Sequence, residues 1–205
     1  TLNMVARRNL ELTQTVKDGQ YEGSLLSTLN QTQTSLGARL MRQWISQPLT
    51  HLPEIHSRLE SVDELVKHPT TREQVRQILP EIYDIERLGT KVANRSVTPR
   101  DLLALKDSIG KLPELSNILQ DLKSFYLVRL QGFPSELFKM VALIDQAVSD
   151  SPPMTITEGG IIKAGYHQEL DQIRKILAGH QDWLNQYETE QRDNTGIKNL
   201  KLSYN

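Results

Sequence analysis

The stretch HQELDQIRKILAGHQDWLNQYETEQR, residues 167–192, decides the fold class of this chain. Its apolar side chains recur at alternating steps of three and four residues, which is the pattern of the seam between two helices wound around each other. The seam positions are Leu170, Ile173, Leu177, His180, Leu184 and Tyr187. We therefore predict one long helix that needs a second helix against this face.

Helical periodicity also dominates the residues that precede this stretch. In TSLGARLMRQWISQPL, residues 34–49, the apolar side chains fall on one helical face and Pro48 ends the segment. We expect Trp44 to be a core residue. Pro53 suits the first turn of the next helix. The apolar stripe expected on that helix consists of Ile55, Leu59, Val62 and Leu65.

Two segments carry the start signals of further helices. In VTPRDLLALKDSI, residues 97–109, Thr98 can cap the helix and Asp101 faces the positive end of its dipole. Thr71 and Gln74 have the spacing of a capping box, which predicts that a short helix opens at Thr71.

The last residues have a different pattern. Leu200, Leu202 and Tyr204 alternate with polar side chains, which predicts a strand. An isolated strand is unstable in water, and the helical seam also needs a partner. We expect the chain to be part of a larger protein. The predicted fold is all-α: a helical bundle followed by a long coiled-coil-like helix that leads to the first strand of a small sheet.

The composition excludes several classes of protein. There are 24 basic and 25 acidic residues, so no field of one sign covers the molecule. Without cysteine there can be no disulfide framework and no thiolate metal site. The N-terminus has no secretory signal, and no apolar run is long enough to span a bilayer. We expect a soluble, intracellular chain that does not contact a membrane.

The candidates for chemistry are weak. Gly160 and Gly165 have the spacing of a phosphate-binding loop, but Tyr166 and His167 follow where Lys and Ser or Thr are needed. A phosphate-handling enzyme built on these glycines is therefore a minor hypothesis. His180 has no second ligand at metal-binding spacing. The acid–base triplet Asp84, Glu86 and Arg87 is typical of a solvated helix face or of a local i,i+3 pair. Arg7 and Arg8 could contact phosphate, although adjacent arginines are more often surface residues.

Several segments, read together and in order, resemble the MutS DNA mismatch-repair family of the bacterial type. They are ARRNLEL (6–12), GSLLSTLNQTQTSLGARLMRQWISQPL (23–49), DIERL (84–88), SVTPRDL (96–102), DSPPMTITEGGIIKAGYHQELD (150–171) and RDNTGIKNLKLSYN (192–205). Each segment alone is a weak signal, but six in order over the whole chain are very specific.

The resemblance implies a domain organisation. It implies a helical core or lever domain at residues 1–150, a Pro/Gly-rich connecting segment at 151–166, and an incomplete start of the clamp domain at 167–205. The implied function is that of a non-catalytic lever and partial clamp, which couples the binding of mismatched DNA to an ATPase domain elsewhere in the protein. The glycines of the connecting segment would then be turn residues.

The resemblance also suggests partners and contacts. The intact protein would bind double-stranded DNA with mismatches, act as a homodimer, cooperate with a MutL-type repair partner and lie in the bacterial cytoplasm near the nucleoid. ATP and magnesium would bind outside this chain, which itself would hold no cofactor, no metal and no catalytic residue. The DNA-backbone contacts expected at the clamp tip are Thr195, Lys198, Asn199, Lys201 and Asn205.

A second function remains open on the residues alone. The chain could be a free-standing helical interaction module that docks a partner helix through the seam between Leu170 and Tyr187. That hypothesis predicts a stable dimer of the isolated chain.

Overall fold

The structure, a computed structural model, describes residues 3–197 apart from the side chain of Gln181. The chain divides into two compact units, Thr1–Ile161 and Ile162–Asn205. Every regular element among the described residues is helical, which confirms the all-α prediction. The predicted C-terminal strand lies outside the described residues. The domain boundaries at residues 150 and 166 remain predictions.

In its described part the first unit contains ten α-helices. They are α1 (Met4–Asn9), α2 (Leu25–Leu29), α3 (Ser35–Ser46), α4 (Leu52–Lys67), α5 (Pro69–Ile78), α6 (Ile85–Ala93), α7 (Pro99–Gly110), α8 (Leu112–Leu119), α9 (Phe125–Val128) and α10 (Ser135–Ala147). Short 3-10 turns occupy Leu79–Glu81 and Ile156–Glu158. The second unit contains α11, Gln168–Thr195.

Local chemistry fixes the start of α7 as predicted. The Asp101 amide donates to Thr98 Oγ1 at 3.2 Å, and the Thr98 amide donates to Asp101 Oδ2 at 3.0 Å, which completes a capping box. Lys91 of α6 donates to both oxygens of Asp101, at 2.8 and 2.9 Å. The hydrogen bond from Lys91 is the main reason that the pKa of Asp101 falls to about 2. Because Lys91 and Asp101 lie on different helices, the cap also ties α6 to α7.

Two apolar clusters hold the helices of the first unit together. One consists of Leu88, Leu105 and Ile109, against which side chains of α10 pack. The other, at α8 and α9, consists of Leu115, Leu119, Leu122 and Leu127, with Leu65 of α4 and Val75 of α5 packed against it. The side chains of both clusters come from several helices, so burial of their apolar surface stabilises the bundle as a whole.

The structure corrects the prediction for α5. The helix begins at Pro69, whose fixed φ and missing N–H suit the first turn, with His68 before it. Thr71 therefore lies inside the helix, and the expected capping box at Thr71 is wrong.

The expected burial of α4 and of Trp44 is also wrong in part. Leu59 and Val62 are each 58% exposed, because α4 turns its opposite face, with buried Ser61, toward its neighbours. Trp44 is 39% exposed. The Arg58 guanidinium lies 3.7 Å from the centre of its ring, an arrangement that covers the ring with a cation rather than with core side chains.

Candidate functional site

The glycine-containing segment before α11 folds back on the first turns of that helix. The Gly165 amide donates to Asp171 Oδ2 at 2.7 Å, and Arg174 Nη2 donates to the Ile162 carbonyl at 3.0 Å. Gly165 has a φ of +86°, a conformation that suits glycine because a Cβ would be strained there. Its backbone amide and conformation serve the turn, as the sequence predicted.

The other two glycines of the connecting segment belong to the first unit. Gly159 and Gly160 have φ values of +76° and +70°, directly after the 3-10 turn Ile156–Glu158. Thr155 and Glu158 form a capping box around that turn, with the Thr155 amide donating to Glu158 Oε1 at 3.0 Å. The interpretation of these glycines as turn residues is confirmed.

The helix α11 carries a large uncovered apolar face. The exposed fractions are 54% for Ile173, 69% for Ile176, 64% for Leu177, 55% for Trp183 and 40% for Tyr187. Within residues 162–197, no second helix is present to cover these side chains. Single exposed apolar residues are ordinary, but a row of them along one helix is typical of an interface.

Aromatic rings order part of that face. The Trp183 and Tyr187 rings stack nearly parallel, with centroids 5.3 Å apart and an interplanar angle of 5°. The His180 ring lies 6.2 Å from Trp183 at 28°. These rings sit at steps of three and four residues and therefore lie one above another on the helix surface. His180 extends this row of aromatic rings.

A side-chain hydrogen bond and a left-handed glycine mark the C-terminal end of α11. Thr195 Oγ1 donates to the Gln191 carbonyl at 2.6 Å, one turn back along the helix. Gly196 follows in the left-handed conformation, with φ +69°, and its amide donates to the Arg192 carbonyl at 2.9 Å. The chain therefore leaves the helical path immediately after Thr195.

An ion-pair network in the first unit joins α3 to the start of α6. Arg39 Nη2 donates to Asp84 Oδ1 at 3.0 Å and to Glu86 Oε2 at 2.7 Å. The Arg87 amide also donates to Asp84 at 3.0 Å, so Asp84 caps α6. The hydrogen bond from Arg39 is the main reason that the pKa of Asp84 falls to about 2. These contacts link α3 to α6 and have a structural role.

The described residues contain no cluster of three or more His, Asp or Glu side chains that could hold a metal ion. The described helices include none with the length and apolar character that crossing a membrane takes.

A sequence profile described as MutS domain III matches residues 5–198. That range includes α1 except its first residue, the rest of the first unit and the whole of α11. The chain belongs to the MutS family.

Curated MutS proteins give the same result. The chain is 43% identical over 204 residues to the DNA mismatch repair protein MutS of Symbiobacterium thermophilum and 43% identical over 204 residues to that of Acetivibrio thermocellus. It is 42% identical over 204 residues to the DNA mismatch repair protein MutS of Trichodesmium erythraeum. In each case the alignment covers 100% of this chain and 23% of the relative. The chain thus spans less than a quarter of the length of these MutS proteins.

Four of the five predicted DNA contacts lie beyond the described part of this MutS chain. Thr195 is the last residue of α11, and its hydroxyl is engaged with the Gln191 carbonyl. Lys198, Asn199, Lys201 and Asn205 lie outside the described residues, and their role stays a prediction.

Reasoning from the sequence missed the ion pair between Arg39 and Asp84. Glu86 and Arg87 are exposed, as expected of a solvated face. The carboxylates of Asp84 and Glu86 in addition bind Arg39, which lies 45 and 47 residues away from them along the chain. A local pattern cannot reveal a partner at that distance.

Proposed function

We propose that this chain forms the lever and the beginning of the clamp of a MutS-type mismatch-recognition ATPase. It would link the binding of mismatched DNA to an ATPase domain located elsewhere, without catalysing a reaction itself. The observation that carries the proposal is the match to MutS domain III over residues 5–198, which takes in the helical bundle and the long helix α11 together.

The shape of α11 supports a mechanical role. Its 28 residues give a rod about 42 Å long, since each residue adds ~1.5 Å. Packed helices move as rigid bodies between discrete arrangements, so a small rotation at the base of such a rod becomes a larger displacement at its tip. The uncovered face with Leu177 and Trp183 would pack against a second helix of the intact protein.

The partners follow from the family. The intact protein would bind duplex DNA with mismatches, act as a cytoplasmic homodimer and work with a MutL-type repair partner. ATP and magnesium would bind outside this chain. Lys198 and Lys201 would contact DNA phosphates near the clamp tip, with Asn199 and Asn205 as neutral hydrogen-bonding neighbours. Thr195 would join them by turning its hydroxyl away from the Gln191 carbonyl.

Breaking α11 in the intact protein tests the lever. Ala178 is exposed in the middle of the helix, and proline there removes a backbone hydrogen bond at a cost of about 3 kcal/mol. We expect Ala178→Pro to abolish the stimulation of ATP hydrolysis by mismatched DNA while hydrolysis without DNA is unchanged. A steady-state ATPase assay with and without a mismatched duplex measures both rates.

The matched control is Ala178→Gln, which changes the same exposed position but keeps a good helix former. It should retain full stimulation by DNA. If Ala178→Pro also retains it, the lever role of α11 is wrong.

The exposed face of α11 also favours the alternative function, a helical module that docks a partner helix. Under that hypothesis the 205-residue chain forms a stable dimer through this face, and Leu177→Glu dissociates it. Sedimentation equilibrium distinguishes the two. A monomeric chain would remove the alternative.

A further inference from the structure

Residues 3–46, which include α1, α2 and α3, form an N-terminal block with hydrogen bonds and packing of its own. The Leu26 amide donates to the Leu12 carbonyl at 2.9 Å, and both of these leucines are buried. Asn30 Nδ2 donates to the Tyr21 hydroxyl at 3.1 Å. Helix α3 packs against α2. The block is therefore held together from within.

Apolar packing joins the N-terminal block only weakly to the helices that follow it. In the described part of the chain, the two apolar clusters of the first unit are built without side chains from the block. All residues of α3 are described, and none of them is buried. Helices α4–α10 pack mainly against one another. Segments with few buried apolar contacts open more easily than a core, so the block is the part of the first unit expected to open first.

Arg39 provides a charge-assisted contact between the block and α6. Its Nη2 donates to Asp84 Oδ1 at 3.0 Å and to Glu86 Oε2 at 2.7 Å, and Ser35 Oγ adds a longer hydrogen bond to Asp84 Oδ2 at 3.4 Å. Hydrogen bonds between a guanidinium and carboxylates are stronger than neutral ones. The side chains of Arg39 and Glu86 are 49% and 72% exposed, so dissolved salt has access to this contact.

Two further arginines reach the block from α4 and α5, and both contacts are weak. The Arg58 guanidinium lies over the Trp44 ring, but its Nε is buried without a hydrogen-bond partner among the described residues. Arg76 Nη1 donates to the Gln31 carbonyl at 3.4 Å, which is longer than an ordinary hydrogen bond. The contact of Arg39 with α6 is therefore the strongest of the three.

We propose that the N-terminal block opens away from α4–α10 as one piece, with residues 47–51 as its hinge and Arg39 as its latch. Residues 47–51 lie between α3 and α4 outside regular structure, and hinges are commonly a few such residues that absorb the change in backbone angles. Opening leaves both apolar clusters of the first unit intact, because the block contributes to neither.

Opening has a measurable consequence for α3. This helix has 12 residues, and an isolated helix of that length is only marginally stable in water. Once the block is released, the backbone amides of α3 exchange with solvent. Helix α7 is a matched reference, because it also has 12 residues but buries Leu105 and Ile109 in the core.

Hydrogen exchange in the intact protein, followed peptide by peptide with mass spectrometry, tests the proposal. We expect the amides of α3 to exchange at least about tenfold faster than those of α7. Raising the NaCl concentration from about 0.1 M to about 1 M shortens the Debye length from ~10 Å to ~3 Å and should accelerate exchange in α3 but not in α7. The readout is protection of the backbone, so it does not depend on the proposed lever function.

Substitutions on both sides of the latch identify it. Arg39→Gln should accelerate exchange of α3 about tenfold and remove most of its salt dependence, because the charge-assisted hydrogen bonds are lost. Asp84→Asn removes the opposite charge but keeps a side-chain oxygen that can cap α6, and it should also accelerate exchange of α3. The matched control is Arg42→Gln, an exposed arginine of the same helix, which should change nothing. Arg39→Lys keeps the charge and should have a smaller effect than Arg39→Gln.

Several results would overturn the proposal. Equal exchange rates of α3 and α7 at both salt concentrations would show that the block does not open by itself. Unchanged exchange of α3 in Arg39→Gln, or an equal effect of Arg42→Gln, would remove Arg39 as the latch. Equal acceleration of α3 and α7 would indicate a general loss of stability instead of a local opening. If Arg39→Gln does not fold, Asp84→Asn and the salt series on the natural protein answer the same question.

Discussion

At the residue scale, Glu64 shows how one carboxylate joins distant parts of the chain. Its Oε1 accepts from the Lys123 amide and its Oε2 from the Ser124 amide, each at 2.8 Å, across 59 and 60 residues of sequence. These amides precede the short helix α9, where backbone donors have no partner within the helix. Glu64 of α4 therefore satisfies two amides at the entrance to α9.

Replacing this carboxylate should destabilise the fold. In Glu64→Gln a single oxygen remains to accept, and the charge is lost, so we expect the free energy of unfolding at pH 7 to fall by about 1–2 kcal/mol. Urea denaturation measures it. The control is Glu60→Gln, an exposed position of the same helix, which should change little. An equal effect of the two substitutions would contradict the assignment.

The same contact predicts a pH dependence. Burial acts to raise the pKa of Glu64, but the hydrogen bonds from Lys123 and Ser124 outweigh it, and the pKa lies below the ordinary value of 4.5. A carboxylate with a lowered folded-state pKa contributes stability above the unfolded pKa and loses it as the pH falls through the folded value. The difference in stability between the natural chain and Glu64→Gln should therefore shrink below about pH 4.5. A constant difference down to pH 3 would contradict this linkage.

Residue-scale contacts divide into those that a sequence reveals and those that it cannot. Thr98 and Asp101 are three residues apart, so their capping box follows from local pattern. The partner of Asp84 is Arg39, and that of the Lys123 amide is Glu64, each reached only through the tertiary fold. The cap at Thr98 was predictable from local spacing, while contacts between residues far apart in the sequence were not.

At the element scale, periodicity predicts that a helix exists but not which neighbour it will face. The apolar stripe of residues 55–65 correctly predicted a helix, α4. Its Leu59 nevertheless lies on the exposed side, because α5 and α9 pack against another face of α4. The start of α5 was missed for a different reason. Pro69 and Thr71 both carry start signals, and the proline, which has no amide to satisfy, begins the helix two residues earlier.

The starts of α7 and α5 provide a matched pair of substitutions. Thr98→Ala removes a side-chain cap from α7 and should lower the free energy of unfolding by about 1 kcal/mol. Thr71→Ala, inside α5, removes no cap and replaces threonine by a better helix former, so we expect no loss. Thermal unfolding of both variants measures the difference. Equal destabilisation would mean that the cap at Thr98 contributes nothing specific.

At the scale of the whole molecule, the family was identifiable from six ordered segments, whereas the DNA contacts remain a prediction. The segments that carry the resemblance include the helix start at Thr98 and the turn at Gly165, whose positions are set by backbone geometry. Contacts at a clamp tip depend instead on where a duplex lies, which the sequence of one chain does not contain. Net charge gives no guidance, since the chain carries a formal charge of −1.

The positive charge near the end of the chain allows a direct test of the predicted DNA contacts. Residues 195–205 contain Lys198 and Lys201 and no acidic residue, a local excess of two positive charges. Neutralising phosphates releases counterions, so Lys198→Ala with Lys201→Ala in the intact protein should weaken binding to matched and mismatched duplexes alike and flatten the dependence of log K on log salt by up to about two. Fluorescence anisotropy over a range of salt concentrations measures the slope, and Lys17→Ala with Lys139→Ala, two exposed lysines elsewhere, should leave it unchanged. Identical slopes for the natural protein and the Lys198 and Lys201 variant would remove these lysines from the DNA interface, because a contact that releases no counterion is not a contact with phosphate.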